Sequence, residues 1–323
     1  MQMSHEILLQ AYRTMRTIRE FEERIHIEST TGDIPGFVHL YAGEEAIATG
    51  VCINLNRDDY IASTHRGHGH CIAKGSDVKE MMKEIYGRGT GLCGGKGGSM
   101  HIADLDKGML GANAIVGGAP PLAMGAALSA KTLADGRVAV SFSGDGASNQ
   151  GTVFEAINMA VVLSLPVVFV FENNGYGEGT GHDYAVGSGD IAGRCAGFGL
   201  PAQMVDGTDI FAVNEAVEKA IERARVGGGP SVIECQAVRF YGHFEGDAQL
   251  YRSKAEMEAV RKNADCLKIF RNSVCVDDRV QSNELDVIDT EVAQLINEAV
   301  DEAKAAPFPD TSEVHTDVYK SYL

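Results

Sequence analysis

Asp145 and Asn174 each follow a short apolar run, and their side chains suit a divalent cation. Asp145 sits in Gly144-Asp145-Gly146, after RVAVSFS at 137–143. Asn174 closes Glu172-Asn173-Asn174, after VVFVF at 167–171. A carboxylate, an amide oxygen and a loop carbonyl are hard oxygen ligands of the kind Mg²⁺ or Ca²⁺ takes. A helix beginning near Ala147 offers unpaired N–H groups and a partial positive charge, which suits an anion. A diphosphate held through a divalent cation satisfies both. For a lone Gly-Asp-Gly the plain alternative is a polar turn between a strand and a helix. The later strand and Asn pair favour the chemical reading.

These side chains need a scaffold that brings them together. Residues 137–143 and 167–171 are β-branched, apolar and of strand length. Residues 147–163 between them have helical length, with Phe154, Ile157 and Val161 on one face, and Pro166 ends the helix. This is a β-α-β unit with a right-handed crossover, so its strands are parallel and their carboxyl ends lie side by side. That edge is where open α/β sheets bind ligands.

Other stretches offer candidates. His39 lies among apolar residues in TGDIPGFVHLYAG (31–43), where a buried structural histidine is the simpler reading. YIAST (60–64) reads as a strand leading into His65-Arg66-Gly67-His68-Gly69-His70. Three close histidines raise zinc, although the glycines predict a mobile loop and no Cys or carboxylate pair completes a tetrahedral set. Arg66 suits a phosphate oxygen, because a planar guanidinium matches that geometry. The glycine-rich segment 87–104 departs from a Walker A loop. It is either a flexible surface loop or one whose backbone approaches a cofactor. SVIECQAVRF (231–240) reads as a strand delivering His243. Helices are predicted from a Ser4 cap to about Glu28, over 44–51, after the Gly-Pro turn near 118–121, near 190–197, over 210–225 and through 253–306. In the last, Leu285, Ile288, Val292, Leu295 and Ala299 form a packing stripe.

Composition bounds the partners. The chain of 323 residues holds 44% hydrophobic residues, enough for a sizeable core. Its 28 basic and 45 acidic residues give a net charge of −17, which argues against nucleic acid. The seven cysteines are scattered without a CxxC and read as reduced thiols of a cytoplasmic protein. No segment reads as a signal peptide or a membrane span.

The Gly-Asp-Gly and Asn-Asn pair resembles the thiamine-diphosphate motif. With the surrounding loops, the chain resembles the α subunit of the E1 component of 2-oxo acid dehydrogenase complexes. The likeness runs from Gly36-Phe37-Val38-His39-Leu40-Tyr41 to Tyr251-Arg252. It implies an α/β thiamine-diphosphate-binding fold, with a mostly parallel sheet and helices on both faces. One diphosphate-binding domain would span 1–323, with an N-terminal helix and a C-terminal helical extension. Asp145, Asn174 and the Tyr176 carbonyl match the family's Mg²⁺ ligands, and Gly146 and Ala147 its diphosphate loop. Arg66 matches the family's diphosphate-binding arginine, and His65, a cofactor-binding candidate, stands where relatives often have Tyr. Val116 matches a backbone contact to the aminopyrimidine. His39 and His243 match active-site histidines, and histidine suits proton transfer near neutral pH. Phe244 and Leu250 replace the phosphorylatable serines of animal members, so that control is not expected.

STHRGHGHCIAKG, GGKGGSMHIADLDKGMLGAN and YGHFEGDAQLY are most similar to the acetoin dehydrogenase branch. The implied function is acetoin cleavage on thiamine diphosphate, with the two-carbon unit passed to a lipoyl-bearing E2 component. A pyruvate or other 2-oxo acid substrate is the alternative. The likeness also implies an E1 β subunit, in an α₂β₂ heterotetramer, supplying the carboxylate that faces the cofactor's pyrimidine nitrogen. Two rivals remain at this stage. One is a Rossmann dehydrogenase, for which Asn149 stands in place of the third glycine. The other is a non-catalytic subunit that has kept the fold.

Overall fold

The structure is a computed structural model describing residues 3–319 and 321. Its strands are β1 (Tyr60–Ala62), β2 (Ala139–Gly144), β3 (Val167–Asn173), β4 (Tyr176–Gly177), β5 (Thr180–Gly181), β6 (Ala202–Asp206) and β7 (Ser231–Gln236). Five of them form one parallel sheet in the order β1-β2-β3-β7-β6, and β4 and β5 form a small antiparallel hairpin.

Strand pleating divides the interior in two. Successive side chains point to opposite faces. Val140, Phe142, Val168 and Val170 therefore enter a core that they share with helices Glu45–Cys52 and Ile210–Arg225. Ala139, Val167, Phe169 and Phe171 enter the other, shared with Ala119–Leu133, Gly151–Val162 and Ile191–Ala196. Helices thus cover both faces, as expected for parallel strands that read as continuous apolar runs. The long terminal helices, His5–Ser29 and Ser282–Ala305, pack on each other and extend the first core.

Several expectations shift. Ala147–Asn149 is a 3₁₀ turn, and the α-helix starts only at Gly151. Its buried face is Val153, Ala156, Ile157 and Ala160, whereas Phe154 and Val161 are half-buried. β7 stops at Gln236 rather than running to Phe240. From there the chain leaves the sheet, and the Phe240 amide bonds the Ala42 carbonyl. Leu295 is half-buried, and Ile296 takes its place in the stripe. β6, whose residues carry no alternation, and the β4–β5 hairpin were not foreseen. The predicted mobile loop after Arg66 is instead helix His68–Lys74, with His68, Gly69 and His70 fully buried or nearly so.

Candidate active site

β2 and β3 pair with Gly144 opposite Glu172, so Asp145 and Asn174 leave adjacent strand ends in the same direction. Both line one cavity of about 250 Å³, at the carboxyl edge of the sheet. The 3₁₀ turn contributes Ala147 beside Gly146, the hairpin contributes Tyr176, and the loop after β1 contributes His65 and Arg66. Val116 reaches the cavity from the loop before helix Ala119–Leu133. The two central loops meet backbone to backbone. A Cβ on Gly146 would lie 3.3 Å from the Cα of Gly177, and one on Gly177 only 3.1 Å from the Cα of Gly146. Small residues here let the hairpin carry Tyr176 in beside Asp145.

Arg239 was missed. It lies past β7 in an apolar stretch that gives no sign of a cavity residue, yet it is 1% exposed and lines the site. Its Nη1 donates to the Tyr176 carbonyl at 3.1 Å and to Asn174 Oδ1 at 3.5 Å. Two oxygens expected to meet a metal therefore converge on one cationic group. Its Nη2 donates to the Tyr251 hydroxyl at 2.8 Å, and Tyr251 donates to Asp247, which accepts from the His243 amide. Arg66 is also buried; its guanidinium donates to the carbonyls of Leu40 and His243. Burial, then the neighbouring Arg239, lowers its pKa to about 10, which leaves it cationic at neutral pH.

The motif histidines separate. His68 turns away to Glu22 and Ser99, and His70 to Ser63 and Glu172. The zinc set imagined from His65, His68 and His70 does not form. His65 instead meets two residues distant in sequence. Its ring centroid is 4.5 Å from that of His39 and 5.2 Å from that of His243, with His39 and His243 5.1 Å apart. His65 and His243 line the cavity; His39 stands behind them. The expectation of titration near working pH is corrected. Burial, then the charge of Arg66, pushes His39 down to about 3, His65 to about 2 and His243 to about 4. All three imidazoles are neutral at pH 7. Nδ1 of His39 and Nδ1 of His243 are buried without a partner.

Buried acids complete the floor. Glu172 accepts from the Tyr41 hydroxyl and pairs with His70 at 2.9 Å, and His70 stacks on Phe142. Glu44 accepts from Asn174 Nδ2 at 2.7 Å through Oε1, while its Oε2 is buried without a partner. Burial and the charge of Glu172 raise the Glu44 pKa to about 8. Burial likewise raises that of Asp145, so a cation beside it would be welcome.

The glycine-rich segment is neither a loose loop nor part of this cavity. The Glu84 carboxylate gathers it, accepting from the amides of Cys93 and Gly95 at 2.8 Å, Gly97 at 2.7 Å and Gly98 at 3.1 Å. The seven cysteines are free thiols. Among the described residues, no helix is long and apolar enough to cross a membrane.

The site can hold an anion tied to a divalent cation. Two buried guanidiniums face it, oxygen donors converge, and buried polar atoms of Glu44 and His243 lack partners. Comparison with known proteins places the chain in a family. The family model described as "Dehydrogenase E1 component" matches residues 13–312. Subunit alpha of acetoin:2,6-dichlorophenolindophenol oxidoreductase from Cupriavidus necator is 61% identical over 98% of this chain and 95% of its own length. The Bacillus subtilis protein of the same name is 54% identical over 99% and 96%. Pyruvate dehydrogenase E1 component subunit alpha from Rhizobium meliloti is 38% identical over 98% and 90%.

Proposed function

The chain belongs to the dehydrogenase E1 component family, and from that premise we propose that it is the α subunit of a thiamine-diphosphate-dependent acetoin dehydrogenase. Its higher identity to the acetoin oxidoreductase subunits than to the pyruvate dehydrogenase subunit favours acetoin over pyruvate. The observation that carries the cofactor reading is the meeting of Asp145, Asn174 and Tyr176 with Arg66 and Arg239 in one cavity.

In this reading Asp145, Asn174 Oδ1 and the Tyr176 carbonyl hold Mg²⁺. Gly146 and Ala147 border the diphosphate. Arg66 and Arg239 neutralise its charge, working against the acidic surface of the chain. Val116 presents backbone to the aminopyrimidine. When bound, thiamine diphosphate supplies the carbanion sink that cleavage beside a carbonyl requires. The protein's task is to orient groups and move protons. His39 and His243 are the proton carriers of choice, since each keeps a buried, unpartnered Nδ1. An anionic ligand beside Arg66 would offset the guanidinium's share of that suppression, the larger share coming from burial. His65 holds the two rings in place and borders the cofactor.

An E1 β subunit covers the open side of the cavity and supplies the carboxylate for the pyrimidine nitrogen, in an α₂β₂ heterotetramer. Ile115 and Val116, 71% and 46% exposed at the cavity, support such a cover. A lipoyl-bearing E2 takes the two-carbon unit, and the assembly is cytoplasmic. The test is co-expression with the partner β chain. Thiamine-diphosphate- and Mg²⁺-dependent reduction of 2,6-dichlorophenolindophenol should be faster with acetoin than with pyruvate. Turnover by the chain alone, or a preference for pyruvate, refutes the proposal.

A further inference from the structure

Asn174 can serve as a metal ligand only if its amide points one way. Oδ1 must face the cation, and Nδ2, a pure donor, must face away. Nδ2 donates to Glu44 Oε1 at 2.7 Å. On the other side, Oδ1 accepts from the Tyr176 amide at 3.4 Å and from Arg239 at 3.5 Å. Flipping the amide would set a donor against two donors.

Glu44 is itself held by its neighbours. It precedes helix Glu45–Cys52 as the N-cap residue and is 1% exposed. Gly43 before it has φ +105, and a Cβ there would lie 2.2 Å from the Val238 carbonyl, so the backbone is pinned against the strap that carries Arg239. Glu45 after it is fully buried, accepts from the Gly43 amide at 3.0 Å through Oε1 and bonds Arg19 at 2.5 Å. The acceptor offered to Asn174 is therefore rigid. Outer partners of this kind typically contribute 10- to 100-fold to metal affinity.

We propose that Glu44 is a positioning residue for the divalent metal, fixing the Asn174 amide so that Oδ1 rather than Nδ2 faces the cation. This rests on the reading of Asn174 as a Mg²⁺ ligand. The experiment titrates Mg²⁺ at saturating thiamine diphosphate into the full chain in its purified assembly. Affinity is read by calorimetry, and folding by the metal-free thermal midpoint. Glu44→Met fills the space without an acceptor and should weaken Mg²⁺ binding by about 10- to 100-fold. Glu44→Gln keeps the Oε1 acceptor and should remain within about threefold of the parent, because the positioning bond survives. Asn174→Asp makes orientation irrelevant, since both its oxygens accept. In that background Glu44→Met should cost nothing further.

A merely structural role would persist in the Asn174→Asp background and would overturn the proposal. So would Glu44→Met binding as tightly as the parent, or Glu44→Gln falling with Glu44→Met. If Glu44→Met does not fold, Glu44→Ala carries the same expectations. Asn174→Ala separates the two levels. If it leaves Mg²⁺ affinity unchanged, the ligand reading itself fails and the positioning role goes with it. If it weakens binding while Glu44→Met does not, only the positioning role is refuted.

Discussion

Gly69→Ala sets local propensity against tertiary packing. Gly69 lies inside helix His68–Lys74 with no positive φ, so helix propensity alone favours alanine by about 1 kcal/mol. The packing says otherwise. A Cβ there would sit 2.1 Å from Cδ1, 2.6 Å from Cε1 and 2.7 Å from Cγ of Tyr41. The ring has little room to retreat. Its hydroxyl is bonded to Glu172, its ring meets His70 in a T-shaped contact at 4.7 Å between centroids, and it is fully buried. Overpacking costs about 1–3 kcal/mol. Losing the bond to Glu172 adds about 1.5–3 kcal/mol. After the propensity gain, the net is a destabilisation of about 1.5–5 kcal/mol. Urea denaturation of the purified chain measures it, and adding Tyr41→Leu should return most of the loss as a coupling energy. Because Glu172 floors the cavity, cofactor-dependent stabilisation should fall as well. A Gly69→Ala chain as stable as its parent, or more so, refutes the packing argument.

Asp145→Ala should abolish the Mg²⁺-dependent stabilisation by cofactor, which at a hundred times its Kd is about 2.7 kcal/mol; a retained thermal shift counts against the metal set. The buried histidines predict acid sensitivity. His39 has a folded pKa of about 3, below its unfolded value of about 6.5. The unfolded chain therefore binds more protons across that window, and stability, full above pH 6.5, falls as pH is lowered through it. His39→Gln should make the loss shallower, by up to about 1.4 kcal/mol per pH unit, as read from urea midpoints between pH 4 and 7; an unchanged slope argues against a neutral buried ring. Glu84→Ala should release the glycine-rich segment, at roughly 1.5–3 kcal/mol for each bond that water does not replace. Trypsin should then cut after Arg88 or Lys96 far faster than in the parent, and equal resistance would show that Glu84 does not hold the loop.

The Gly-Asp-Gly turn, the Asn pair and the two apolar runs were legible because they are local. Strand length, β-branching and a crossover too long for a hairpin determine parallel strands, and parallel strands carry their ends to one edge. That reasoning brings Asp145 and Asn174 together without coordinates. It also pointed to Arg66, which lines the same cavity. What failed was judgement of residues whose meaning depends on distant neighbours. The glycines of 65–70 looked mobile, but Gly69 is glycine because a tyrosine ring from residue 41 fills the place of its side chain. The glycines of 87–98 looked loose or cofactor-facing, but a carboxylate from the preceding helix gathers their amides.

Arg239 and Glu44 carried no signal, and Glu172 entered only as a neighbour of the Asn pair. Each is an ordinary charged residue in sequence and becomes part of the site only when six chain segments close over one cavity. The expected histidine basicity failed for the same reason. A side chain's identity sets its pKa in water, but burial and two neighbouring guanidiniums set it here. Residue type and spacing thus determined which groups could do chemistry and at which edge of the sheet they would stand. Only the tertiary structure decided how charge, burial and hydrogen bonding prepare them, because those are sums over neighbours that the order of the chain does not reveal.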